Sequence, residues 1–215
     1  MSFKFTKFQI AVHLISWGPL ALLAWDYFVD NLTANPIQYL TFKTGDAAIR
    51  LLVASLTCTP INTVFGFKEA LKVRRALGLY AFMYVSLHFL IFVGLDYGFD
   101  LGLIYEAIFE KRYALVGFAA FLILLPMAIT SMRWWMQKLG KRWKQLHRLV
   151  YVAGLLAVVH YLWLVKSDIR EPLIYGALVV ILLVVRIPIV RKWLTGWRGQ
   201  FEKWRQARMM RNPAS

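Results

Sequence analysis

The chain is 215 residues long, 60% hydrophobic and 16% aromatic, with a mean hydropathy of +0.54. Soluble domains are closer to half apolar, so this composition excludes an ordinary water-soluble domain and points to a membrane protein. The lone cysteine, Cys58, excludes an internal disulfide and a CxxC motif, and the formal charge of +15 collects on one side of the topology read below, so no nucleic-acid partner is expected.

Lys4 and Lys7 precede a first apolar run, Ile10 to Phe28, whose length and lack of a small-x-small cleavage site favour a retained helix over a signal peptide. Val29 to Gly45 is polar, contains Asn31, Asn35 and Pro36, and reads as a loop. The second span covers Ala47 to Phe65, with Pro60 near its end beside Thr57 and Thr59, whose hydroxyls can take up freed backbone groups. A short basic connection leads to the third span, Ala76 to Leu95. A loop with Asp96, Asp100, Glu106 and Glu110 follows, then the fourth span, Tyr113 to Ser131, with Pro126 inside it.

After a basic loop containing Arg133, Lys138, Lys141 and Arg142, the fifth span occupies Trp143 to Lys166. The sixth runs from Leu173 to Val190, with Pro172 at a helix first turn. The spans have about 18–24 residues, which suits the hydrocarbon core. The expected fold is therefore an all-α bundle of six transmembrane helices over residues 1–190. Residues 191–215 form a basic tail in which Trp193, Trp197, Phe201 and Trp204 alternate with Arg198, Lys203, Arg205 and Arg208. That spacing fits an interfacial amphipathic helix lying on lipid. No internal repeat, low-complexity tract, GxGxxG or P-loop is evident in the sequence.

Six spans put both termini on one side. That side carries 20 of the Lys and Arg residues and the other carries six, so the positive-inside rule places both termini in the cytoplasm.

Histidine inside a span is costly and marks function. His88 lies 12 residues beyond Ala76, and His160 lies 13 beyond His147. At ~1.5 Å per residue both stand about 18–20 Å from the inner edge. Two imidazoles at one depth on neighbouring helices can supply both axial ligands of a single haem iron; hydrogen bonding between helices without a cofactor is the alternative. Gly78, Ala81, Ser86, Gly154 and Ala157 leave room for a macrocycle or for close helix contact. His147 and His160 lie ~140° apart around a helix, which disfavours two stacked haems. His13 is level with His147, and the two remain open as an inner site for a second haem, a flavin or a quinone. Arg74, Arg75, Lys144 and Arg148 near His147 can hold a phosphate or propionate, or simply reflect positive-inside charge.

The runs RRALGLYAFMYVSLHF, TGDAAIRLLVASLTCTP and KRWKQLHRLVYVAGLLAVVHYLWLVK resemble the MsrQ family within the ferric reductase-like transmembrane superfamily, over essentially the whole chain. The resemblance implies a b-type cytochrome of the bacterial inner membrane that also carries FMN. It implies electron transfer from quinol to a periplasmic molybdopterin enzyme, MsrP, that reduces methionine sulfoxide in oxidised proteins. The family's histidines fall on His88, His147 and His160, with haem iron at His88 and His160. About 25 residues follow the sixth span, too few for the flavin and nicotinamide domain of larger relatives, so electrons are expected from quinol or a separate flavin reductase. The rival readings are a stand-alone ferric reductase and a small transporter.

Overall fold

The computed structural model describes the backbone of residues 5–211 and the side chains of residues 5–199. The side chains of Phe201, Lys203, Trp204, Arg205 and Arg208, and Lys4 entirely, lie outside the described residues. Ten α-helices and no strand occur among the described residues: α1 Lys7–Phe28, α2 Pro36–Phe65, α3 Glu69–Ile91, α4 Leu101–Glu110, α5 Arg112–Ile129, α6 Arg133–Leu139, α7 Lys141–Arg148, α8 Val150–Leu164, α9 Arg170–Val184 and α10 Pro188–Arg211. Five helical stretches are long and apolar enough to cross a membrane, with α7 and α8 counted as one. The sixth is broken: α9 and the start of α10 qualify only together, bent by 80°. The all-α membrane bundle expected from the sequence is present, with a kinked final span.

Three segments read as loops are helical. The second span starts at Pro36, not Ala47, giving a helix of 30 residues. Its local signals are ordinary ones: Asn35 caps Gln38 N–H with its side chain, and Pro36 occupies the first turn. The acidic stretch contains α4, capped by Asp100 Oδ1 on Gly102 N–H and Leu103 N–H. The basic stretch contains α6. Between α3 and α4 the third span ends in a π-helical turn, Phe92–Asp96, a distortion often found beside functional positions.

The long helix α2 is the hub. It packs along α3 and also meets α1, α8, α9 and α10, and it contributes to both apolar clusters. A stack of Phe82, Phe89, Phe118 and Phe121 joins α3 to α5. Gly78 faces Ser55 on α2, and Gly154 faces Leu56 of α2 and Val179 of α9, so these glycines serve close helix contact.

Two prolines show how interior backbone groups are satisfied. Pro60 cannot bond the Leu56 carbonyl one turn back. The expected hydroxyl does not take that role: Thr57 Oγ1 donates to Val53 O, and Arg186 Nη2, from the break between α9 and α10, donates to Leu56 O. In α1, beside Pro19, the fully buried Tyr84 hydroxyl of α3 accepts from Leu20 N–H and donates to Ser16 O. Tyr84→Phe removes both bonds and leaves Leu20 N–H and Ser16 O only each other as helical partners, so a loss of about 1 kcal/mol is expected, measured as a lowered unfolding midpoint in detergent.

The bundle also holds a repeat that the sequence reading missed. The most extensive helix pairs are α2 with α3 and α5 with α8, and α3–α5 contact is mirrored by α2–α8 contact. Aligning the sequence of the second pair with the first at an offset of 72 residues sets His160 opposite His88. It also matches the buried positions Ala48 with Ala120, Leu52 with Leu124 and Ala81 with Ala153. The identities are sparse, so only the contacts make the relation visible.

Candidate functional site

His88 sits near the end of α3 and His160 near the end of α8. Their ring centroids are 6.1 Å apart, with the planes at 87°. Each ring is oriented by a backbone carbonyl: His88 Nδ1 lies 2.9 Å from Thr41 O on α2, and His160 Nδ1 lies 2.7 Å from Tyr113 O on α5. A carbonyl only accepts, so both Nδ1 atoms carry the proton and donate. Both Nε2 atoms then keep a lone pair, and among the described residues neither has a hydrogen-bond partner. This is the arrangement of a metal-binding imidazole, with the second nitrogen held by an outer carbonyl.

The spacing can be tested against an iron between the rings. Metal–imidazole bonds of about 2 Å, plus about 1.1 Å from each bonding nitrogen to its ring centre, would put two imidazoles that held one metal between them about 6 Å apart, centre to centre. The observed 6.1 Å agrees with that value. Among the described residues no cluster of three or more His, Cys, Asp or Glu side chains could cage a metal ion. The available donors are therefore two imidazole nitrogens, which would suit an iron carried by a macrocycle that supplies its remaining ligands. A haem fits these residues.

The other two histidines are elsewhere. His13 pairs with Tyr80, its Nδ1 2.9 Å from the phenol oxygen, on α1 where that helix meets α3. His147 ends α7, edge-on to Trp143 at 4.0 Å, and its buried Nδ1 has no partner among the described residues. Among the described residues no hydrogen bond or ring contact joins the two, and neither has the carbonyl hold that marks the outer pair.

Arg74 donates to Thr59 Oγ1 and, with Arg148, Tyr151, Arg186 and Arg191, lines a cavity of about 430 Å³ at the His147 end of the bundle. Arg75 is exposed and does not line it. Arg186 and Arg191 were absent from the sequence-derived site: Arg186 stood inside the sixth span as read, and Arg191 opened the basic tail. Thr41, Gly45, Tyr113 and Gly117 were missed too. Their signal was the repeated pattern of a glycine four residues after the residue whose carbonyl holds a histidine 47 positions on.

At the opposite end, Lys111 donates to Tyr97 Oη at 2.9 Å, tying the start of α5 to the turn after the π-helix; that bond raises the Lys111 pKa. Nearby, Tyr161 donates to Glu171 Oε2 at 2.7 Å, and Arg50 joins Asp46 and Tyr175, so α2, α8 and α9 are pinned together close to His160.

The family described as "Ferric reductase like transmembrane component" matches residues 44–158. A protein of Rhodospirillum rubrum is 44% identical over 190 residues, covering 87% of this chain and 91% of the relative. One of Xanthomonas axonopodis pv. citri is 42% identical over 182 residues, covering 82% and 84%, and one of Xanthomonas campestris pv. campestris is 43% identical over 185, covering 83% and 85%. All three relatives are named protein-methionine-sulfoxide reductase heme-binding subunit MsrQ. No solved structure matches. The chain belongs to the MsrQ family of ferric reductase-like transmembrane proteins.

Proposed function

We propose that the protein is the haem-binding, electron-delivering subunit of a methionine sulfoxide reductase system in the bacterial inner membrane, with both termini cytoplasmic. The observation that carries this is the facing pair His88 and His160, with both Nδ1 protons committed to carbonyls at a spacing suited to one iron. Bound b-type haem supplies a one-electron iron couple. The chain's residues present two neutral imidazoles, hold their tautomers and surround them with apolar helices, which sets ligand basicity and local polarity.

The arginine-lined cavity is the proposed seat of an anionic cofactor group on the cytoplasmic side, the phosphate of FMN being the one that the family resemblance suggests. Guanidinium groups present fixed forks of donors to phosphate oxygens. Arg148→Ala is expected to lower flavin content about tenfold while haem content stays at the wild-type level. Flavin and haem are counted in the same purified sample, and joint loss would instead assign the arginines to propionates. His147, beside Arg148, is proposed to border this cavity rather than to bind the haem iron.

Electrons enter from quinol or a flavin reductase and leave to a periplasmic, molybdopterin-containing MsrP-like reductase. Its proposed docking surface is the acidic face of α4. Asp100 is unsuited to a test because it caps that helix; Glu106 and Glu110 are exposed and free of such a duty. In proteoliposomes containing a quinol, the wild-type protein is expected to reduce the partner enzyme. The Glu106→Lys, Glu110→Lys double variant should slow this about tenfold, mostly through association, with an unchanged haem spectrum. Absence of delivery by the wild-type protein, together with reduction of a soluble ferric chelate, would favour the metal-reductase reading that the family description raises.

A further inference from the structure

The repeated hairpins carry more than the two histidines. In each, the carbonyl that accepts from the imidazole belongs to the residue one helical turn before a glycine: Thr41 before Gly45, and Tyr113 before Gly117. Residues four apart lie on one helix face, and the i+4 amide is the carbonyl's own helical partner. A side chain at that position would occupy the space through which the ring reaches the carbonyl. A Cβ added to Gly117 would lie 2.6 Å from His160 Nδ1, 2.8 Å from Cε1 and 3.2 Å from Cγ. A Cβ added to Gly45 would lie 3.2 Å from His88 Nδ1 and 3.3 Å from Cε1. Neither glycine has the positive φ that would explain it by backbone conformation; those are Gly66, Gly98 and Gly140. Both are within helices, where glycine is less favourable than alanine, so their presence calls for a steric reason.

We propose that Gly45 and Gly117 are positioning residues for the haem ligands, and that each hairpin is a duplicated half-clamp made of one histidine, one carbonyl and one glycine. The glycine lets the imidazole lie against the neighbouring helix, so that the carbonyl fixes both its tautomer and its rotation. The two halves are unequal. At Gly117 a methyl would displace the ring outright, because contacts under 3.0 Å require movement and the ring is tethered to α8. At Gly45 the ring needs to give by only a few tenths of an ångström.

This inference rests on the haem reading, and the test separates the two. Wild-type protein, Gly45→Ala, Gly117→Ala and a crowding control, Gly176→Ala, are purified and compared by haem content, low-temperature electron paramagnetic resonance and redox titration. A Cβ at Gly176 would meet Val158 Cγ1 at 3.2 Å, matching the tightness at Gly45 without touching either histidine. The expected result is graded. Gly117→Ala loses most of its haem, or keeps it with a changed low-spin signal and shifted midpoint; Gly45→Ala keeps its haem with a smaller shift in the same signal; Gly176→Ala matches wild type. Unchanged signals in both histidine-facing variants overturn the proposal, as do equal changes in the control. If Gly117→Ala does not accumulate, Gly45→Ala against Gly176→Ala decides by the same criterion. A wild-type protein with no low-spin haem would refute the haem reading itself, before the glycines are in question.

Discussion

Replacing either His88 or His160 with alanine is expected to reduce bound haem below about a tenth of the wild-type amount, since losing a ligand exceeds the 10–100-fold cost of losing an outer-shell partner. The two substitutions should be equally damaging, because each ring would supply one of the two imidazole nitrogens that hold the iron and neither remaining histidine contacts the pair among the described residues. His13 is held by Tyr80, and His147 rests on Trp143 at the other end of its span. The geometry makes a second, sharper statement. With the ring planes at 87°, rhombic splitting of the oxidised iron should be nearly absent. The resonance spectrum should then show one strongly anisotropic low-field feature rather than three well-separated lines. A rhombic spectrum, or b-type absorption bands that survive in either variant, would show that the iron is held by another pair.

Arg186→Ala is expected to have the next largest effect, on stability. The guanidinium accepts the task that Pro60 leaves undone, donating to Leu56 O, and it also lies over the Tyr151 ring at 4.7 Å. A hydrogen bond from a charged group contributes about 1.5–3 kcal/mol, and a partly buried cation–π contact about 1 kcal/mol. The expected loss is therefore about 2–4 kcal/mol, together with loosening of the bend between α9 and α10. A second substitution isolates the cause. Pro60→Ala restores an amide that can bond Leu56 O, so in that background Arg186→Ala should cost about 1–2 kcal/mol less. The double-mutant cycle, followed by denaturation in detergent, measures this coupling; additive effects would mean that Arg186 acts only through Tyr151 or through the arginine-lined cavity.

The errors in the sequence reading share a physical origin. Asn35 and Pro36 are a proper helix start, yet the polar stretch after them lacks the continuous apolar pattern of a span, so hydropathy placed the boundary 11 residues late. The omitted turns contain Thr41 and Gly45, the seat of His88. The sixth span was read as continuous to Val190, because the break around Arg186 is stabilised by a carbonyl on another helix and not by any local helix stop. The tail is not among these errors: read as an interfacial amphipathic helix, it is helical over Pro188–Arg211. Its described part reaches α2, where Arg198 Nη1 donates to Asn62 O and Thr63 O at the helix end. Such a bond depends on where two distant segments meet.

Apolar length, loop charge and the placement of His88 and His160 are local quantities. The residues alone therefore determined a polytopic all-α chain with two histidines at one depth. Which imidazole nitrogen is free, how far apart the rings stand, which carbonyl holds each, and why a glycine must follow that carbonyl were decided only when α2 packed on α3 and α5 on α8. Those properties are distances between backbones 47 residues apart, set by packing register and close steric approach, which composition and periodicity along one strand of sequence do not encode.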